Sequence, residues 1–381
     1  MQEYQYQRYN QYFAQFGPGI ETIGETELTE LGAAEIKSAF RGAWFKADQA
    51  TSYRITYQSR LATRILAPLV SFDCHSANYL YKTGRSLDWQ DFLKPKMTFA
   101  IHAQVSNSRI THSQYAALKL KDAIVDTLRE RTGSRPNIDR RRPHIWFNLH
   151  LENNRAVISL DLGGGALHRR GYRQDGLDAP MQETLAAAII RLSGWQGATP
   201  FIDPMCGSGT LLSEALLYAR NIPAAFLRKS FGFQRLPDFN PKTWARIQHE
   251  GLDAVTEIPI GLIQGADRDQ RAIEATRQNL TKIPGGSGIT LSHRPFEQYE
   301  PQPGTLLVCN PPYGQRLEKG RDLSGFYKAF GDYLKQHCTG STALVYFGDR
   351  QYLKSIGLRP KWRQALKNGG LDGRLALFEL Y

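Results

Sequence analysis

Four consecutive residues, Asn310-Pro311-Pro312-Tyr313, combine groups that can hold and orient a planar amine. The Asn310 side-chain oxygen and the Pro311 carbonyl can each accept one N–H bond from an exocyclic NH2. Tyr313 offers a flat face on which the ring carrying that amine can stack. With both hydrogens accepted, the nitrogen lone pair is directed at an electrophile placed opposite. Pro311 and Pro312 fix φ and hold the turn open. The same residue types also build ordinary turns, so the tetrapeptide alone fits either a strand-end turn or a substrate clamp.

A second motif upstream favours the clamp. Phe201-Ile202-Asp203-Pro204-Met205-Cys206-Gly207-Ser208-Gly209-Thr210, followed by LLSEALLYAR, reads as strand, glycine loop and helix. Gly207 and Gly209 permit positive φ and close approach of a ligand to the backbone. The helix N-terminus behind them carries partial positive charge. The dinucleotide pattern fails because Leu212 stands at its third glycine position. The P-loop pattern fails because no lysine follows the loop. An acid before the loop suits a ligand with cationic amine and sulfonium groups, and S-adenosylmethionine (SAM) is such a ligand. Its candidate contacts are Asp203, Met205, Cys206, Gly207, Ser208, Gly209 and Thr210, with Asn310 beside them. Gly265-Ala266-Asp267-Arg268-Asp269 adds an acid at the tip of a second strand, where ribose hydroxyls can be bound. Asp267 is preferred for that role; Asp269 either shares it or caps the following helix.

These groups meet only if the elements around them form an open parallel sheet. Strands are expected at 258–263, 289–292 and 305–309, a helix at 323–336, a strand at 341–347 and a closing antiparallel pair at 358–366 and 374–381. A helix is expected at 181–193, with Pro180 at its start. Right-handed crossovers then bring the strand tips to one edge, where ligands bind. The stretch 222–251 is an insertion whose Phe231, Phe233 and Trp244 are candidates to line a substrate cleft or to cover the fold. Further upstream, strands are expected around Tyr12, over 36–45 and 52–56, and over 97–105, with helices over 20–31, 62–72 and 113–131. A hairpin is expected from 145–151 and 156–162. The chain reads as an α/β protein: an N-terminal α+β region (1–60), a second small domain (61–163), and a Rossmann-like domain (164–381) reached through a glycine-rich, basic junction.

The formal net charge of +12 over 381 residues favours a polyanionic partner, nucleic acid above all. Arg135, Arg140, Arg141, Arg142, Arg169 and Arg170 are the candidate phosphate contacts, since the planar guanidinium fork suits phosphate. The four cysteines are far apart, which argues against a zinc site or a disulfide framework and fits a reducing compartment. No apolar stretch is long enough to span a bilayer. The expected setting is cytoplasmic, with no membrane and no metal.

Taken in order, DPMCGSGT, GADRD and NPPYG resemble the motifs of class I SAM-dependent methyltransferases that modify amines. ALHRRGYR, NGGLDGRLALFEL and the N-terminal half are similar to THUMP-domain RNA guanine-N2 methyltransferases. The resemblance implies a ferredoxin-like region, a THUMP RNA-binding domain and a catalytic domain that methylates guanine N2 in RNA, with 23S rRNA as substrate. It assigns catalysis to Asn310, Pro311, Pro312 and Tyr313. Family members often carry a second, fused methyltransferase domain; this chain stops at Tyr381, so a second activity is not expected. Where the family often has an acid that contacts the adenine amine, this chain has Arg294 and Pro295, and Glu297 is the candidate replacement. Two rivals stand beside this reading. One is tRNA guanine-N2 or nucleic-acid adenine-N6 methylation. The other is a non-catalytic RNA-binding assembly factor.

Overall fold

In a computed structural model, which describes residues 2–174, 181–313 and 323–381, the alternating apolar pattern of the first 161 positions resolves into one continuous sheet. α1 (Gln5–Tyr9) leads into β1 (Gln11–Gln15), and α2 (Glu21–Glu30) precedes β2 (Ala34–Ala39) and β3 (Gly42–Lys46). Then come α3 (Gln49–Gln58), β4 (Arg64–Asp73), α4 (Ala77–Ser86), β5 (Thr98–Ser106) and α5 (Ser113–Thr132). β6 (Asn137–Ile138), β7 (Ile145–Glu152) and β8 (Arg155–Asp161) complete the series. The eight strands lie in the order β2-β3-β1-β4-β8-β7-β5-β6. One sheet therefore runs through both expected N-terminal segments, joined where β1 pairs with β4.

Two local expectations are overturned here. Residues 52–56 lie inside α3, not in a strand. The Asp48 side chain caps that helix, accepting from the Thr51 amide at 2.7 Å. Residues 62–72 are mostly strand β4, not helix. Its unbroken apolar run is buried on both faces over Ile65–Leu69, and the register shifts between Pro68 and Val70, where proline interrupts the ladder.

Residues 228–249 belong to the same compact unit as this sheet. Tyr53 stacks on Phe233 with centroids 4.4 Å apart, and Tyr57 meets Trp244 edge-on at 5.3 Å. Phe231, Phe233 and Trp244 are therefore core of this unit rather than lining of a cleft.

The second unit holds residues 17–26, 168–227 and 250–381. α6 (Glu183–Leu192), β9 (Phe201–Asp203) and α7 (Thr210–Ala219) come first, and α8 (Pro241–Asp253) intervenes in sequence. β10 (Ile263–Asp267), α9 (Gln270–Leu280), β11 (Thr290–His293) and β12 (Leu306–Cys309) follow. α10 (Ser324–His337), β13 (Thr342–Phe347), β14 (Trp362–Asn368) and β15 (Leu371–Glu379) complete it. The order is β11-β10-β9-β12-β13-β15-β14, with β9 to β13 parallel and β15 antiparallel to both its neighbours. This is a Rossmann-like sheet. The chain winds outward one way from β9 to β11, then the other way from β12, so a crevice opens outside the carboxyl ends of β9 and β12. β10 starts at Ile263 rather than at 258, because Pro259 lacks an amide donor and Gly261 sits at φ 81. The expected helix start at Pro180 and the glycine after Tyr313 lie outside the described residues. Among the described residues, no helix is long and apolar enough to cross a membrane.

Candidate active site

The crevice is a cleft of about 1070 Å³, walled by residues from the tips of β9, β10 and β12. The glycine loop forms its floor. Gly209 has φ 74, and a Cβ there would come within 2.6 Å of Thr276, so only glycine fits. Gly207 has φ 55 and open space where a side chain would stand. Two polar residues on the inner face of α9 hold the loop: Thr276 donates to the Gly207 carbonyl at 2.7 Å, and Asn279 donates to the Ser208 carbonyl at 2.9 Å. These two residues escaped the sequence reading. The signal that marks them is polar side chains within the apolar stripe of an amphipathic helix, beside Ala272, Ile273 and Leu280.

Asp203 and Asp267 stand on either side of the loop. Asp203 is 2% exposed and accepts from the Met205 amide at 3.1 Å. Burial, reinforced by the nearby Asp267 charge, holds its carboxyl well above the usual range. Asp267 accepts from the Gly207 amide at 2.9 Å through one oxygen and from the Asp269 amide at 2.9 Å through the other. Asp269 caps α9, accepting from the Arg271 amide at 2.9 Å, and hydrogen bonds from Arg271 lower its pKa. The Cys206 and Cys309 thiols are buried, which pushes both pKa values up and keeps both protonated.

β12 is buried at all four positions and delivers Asn310 to the cleft wall. The Asn310 Oδ1 is buried with no hydrogen-bond partner among the described residues. Tyr327 donates to the Pro312 carbonyl at 3.1 Å and braces the turn. Tyr313 departs from the expected stacking role. It is 4% exposed, its ring lies against the Gly348 backbone, and it is not in the cleft wall. The aromatic groups that do line the cleft are Phe296 and Phe326. Pro295 and Glu297 line it too, where an adenine contact was expected.

The arginines divide. Arg135, Arg140, Arg141, Arg142 and Arg169 are exposed. Arg170 is not a phosphate contact: it is 2% exposed, and both Nε and Nη2 reach the buried Glu214 carboxylate at 3.4 Å. Tyr172 donates to the same carboxylate at 3.0 Å. Burial opposes the Arg170 charge, but Glu214 more than offsets it and its pKa stays above the ordinary value.

Glycine backbone open to a ligand, flanking acids and an unpartnered amide oxygen fit SAM and an amine acceptor. Comparison with known proteins shows the family. Residues 170–376 match the family model described as RMKL-like, methyltransferase domain. Residues 74–161 match the THUMP domain and 11–66 the RlmL ferredoxin-like domain. A candidate RNA methyltransferase of Synechocystis sp., slr0064, is 38% identical, with 97% of each chain covered. The ribosomal RNA large subunit methyltransferase K/L of Syntrophotalea carbinolica is 37% identical over 97% of this chain. The chain spans about half the length of the K/L relatives it matches. The crystal structure of SMU.472, a candidate methyltransferase complexed with SAH, superposes with a TM-score of 0.85 at 26% identity, covering 97% of this chain and 98% of that one. The chain thus belongs to the RMKL-like methyltransferase family, with S-adenosylmethionine as its cofactor and a THUMP domain ahead of the catalytic sheet.

Proposed function

We propose that this protein transfers the methyl group of SAM to the exocyclic N2 of a guanine in RNA, with large-subunit (23S) ribosomal RNA as substrate. The observation that carries the reading is the buried Asn310 Oδ1, without a partner among the described residues, in the wall of the cleft that also holds the glycine loop. A buried acceptor left without a donor is costly, and a substrate N–H relieves that cost. The rRNA substrate draws support from the relatives named ribosomal RNA large subunit methyltransferase K/L. A cytoplasmic setting goes with that substrate.

SAM, when bound, supplies an activated methyl electrophile. The chain's own residues then have to align the amine, exclude water and hold the base. Asn310 Oδ1 and the Pro311 carbonyl accept the two amine hydrogens and aim the nitrogen lone pair. Pro312 and Phe326 form an apolar wall for a base drawn out of its stack. Tyr313 packs against Gly348. No side chain has to take a proton before transfer: the nitrogen becomes acidic as the new bond forms, and its surplus proton passes to solvent as the product leaves. Neither buried thiol serves as a nucleophile, since both stay protonated. Exposed Arg135, Arg140, Arg141, Arg142 and Arg169 contact RNA phosphates. Asp267 binds the ribose hydroxyls and Glu297 the adenine amine.

The test is nucleoside mass spectrometry after reaction of the purified protein with unmodified 23S rRNA, tRNA and DNA. N2-methylguanosine in 23S rRNA is expected. N6-methyladenine, or product in tRNA alone, would overturn the substrate assignment. No methyl transfer in a single turnover with any of them would favour the assembly-factor reading.

A further inference from the structure

Arg173 belongs to the same basic stretch as Arg170 but has a different surrounding. Its Nη2 donates to the Met181 carbonyl at 2.9 Å and to Thr210 Oγ1 at 3.0 Å, and lies 3.5 Å from Glu183 Oε1. The next residue, Gln174, donates its amide to Asn279 Oδ1 at 2.9 Å, and Asn279 in turn holds the glycine loop. Arg173 is thereby fixed beside the first residue of α7, where the loop ends, and it forms part of the cleft wall. Its Nε is buried and has no hydrogen-bond partner among the described residues. A guanidinium has five N–H donors in a planar fork, and the contacts to Met181, Thr210 and Glu183 all fall on Nη2.

The amino-acid end of SAM carries an α-carboxylate and an α-ammonium. The ribose and adenine are assigned above to Asp267 and to the wall of Pro295, Phe296 and Glu297. Asp203 closes β9 ahead of the loop, and a cation bound beside it would offset the burial that raises its pKa. Of the arginines in the cleft wall, Arg268 and Arg271 follow the β10 tip, where Arg271 pairs with Asp269, and Arg173 is the one held at the end of the loop. We propose that Arg173 anchors the α-carboxylate of SAM through a charge-assisted hydrogen bond. The proposal rests on SAM as cofactor and on the direction in which it lies along the loop. Arg173 acts on cofactor binding and orientation, so it sets which sulfonium nucleosides the cleft accepts.

The test compares S-adenosylhomocysteine with its methyl ester, which keeps the amine and loses the carboxylate charge. Affinities are measured by calorimetry for the wild-type protein and for Arg173→Met. The wild-type protein is expected to prefer the acid by about tenfold or more. Arg173→Met is expected to bind acid and ester within about twofold of each other. Loss of the Met181 and Thr210 contacts alone would weaken both ligands together and leave their ratio unchanged, so a retained preference in the variant overturns the proposal. Equal binding of acid and ester by the wild-type protein overturns it without any variant. Should Arg173→Met fail to fold, Arg173→Lys keeps the charge without the fork, and an intermediate ratio is expected; an unreduced one counts against the proposal. No binding of S-adenosylhomocysteine by the wild-type protein would instead remove the cofactor assignment, which is a different result.

Discussion

A buried amide oxygen without a donor costs a folded chain about 1–3 kcal/mol, and among the described residues Asn310 Oδ1 has none. Asn310→Ala removes that cost along with the acceptor, so it should lower turnover by about a hundredfold or more. Affinity for S-adenosylhomocysteine should stay within about threefold, and thermal stability should not fall. A parallel loss of cofactor affinity would make Asn310 a structural residue. Asp267 differs because both its oxygens already hold backbone amides. Asp267→Ala should weaken S-adenosylhomocysteine about tenfold or more by calorimetry; unchanged affinity would shift the ribose contact to Asp269. The place of Asn310, Asp203 and Asp267 in the cleft wall was legible in the sequence because each is a polar residue at the end of a strand. The Tyr313 ring was not, because its direction depends on Gly348, at the end of a strand much later in the chain.

At the scale of elements, legibility followed burial geometry. β7 and β8 could be read because they alternate and meet at a tight Asn153-Asn154 turn, both residues with positive φ. α5 could be read because its apolar positions recur at helical spacing. α3 and β4 were misread because distant partners decide them. Tyr53 and Tyr57, one turn apart on α3, pack on aromatics that arrive near residues 231–244. β4 is apolar on consecutive positions because both its faces are buried over Ile65–Leu69. The RRGYR stretch read as a basic surface, yet Arg170 fastens it to α7 through Glu214. Arg170→Met leaves the Glu214 charge buried and unpaired, and should cost about 3–5 kcal/mol in chemical denaturation. The same change should leave the salt dependence of RNA binding untouched. A reduced slope would return Arg170 to the phosphate contacts.

At the scale of the whole molecule, the net charge of +12 sets long-range attraction to RNA while the cleft sets chemistry. Replacing Arg140, Arg141 and Arg142 together by Gln should lower the slope of log K against log salt by about 2 to 3. Turnover at saturating RNA should be preserved. An unchanged slope would make these residues a solvated turn around Asp139, which accepts the Arg141 and Arg142 amides.

The aromatic group that residues 228–249 contribute to the N-terminal unit has a consequence for the order of events during synthesis. The chain builds the eight-stranded sheet, begins the catalytic unit, and only then delivers Phe231, Phe233 and Trp244 to Tyr53 and Tyr57. On the ribosome the N-terminal unit stays unfinished until residue 249 has emerged, by which time β9 and α7 are already out. A fragment of residues 1–167 should therefore bind a hydrophobic dye and precipitate on concentration. Co-expressing 228–249 in trans, or joining it by a short linker, should restore a cooperative melt. A fragment that melts cooperatively unaided would show that translation order imposes no such delay.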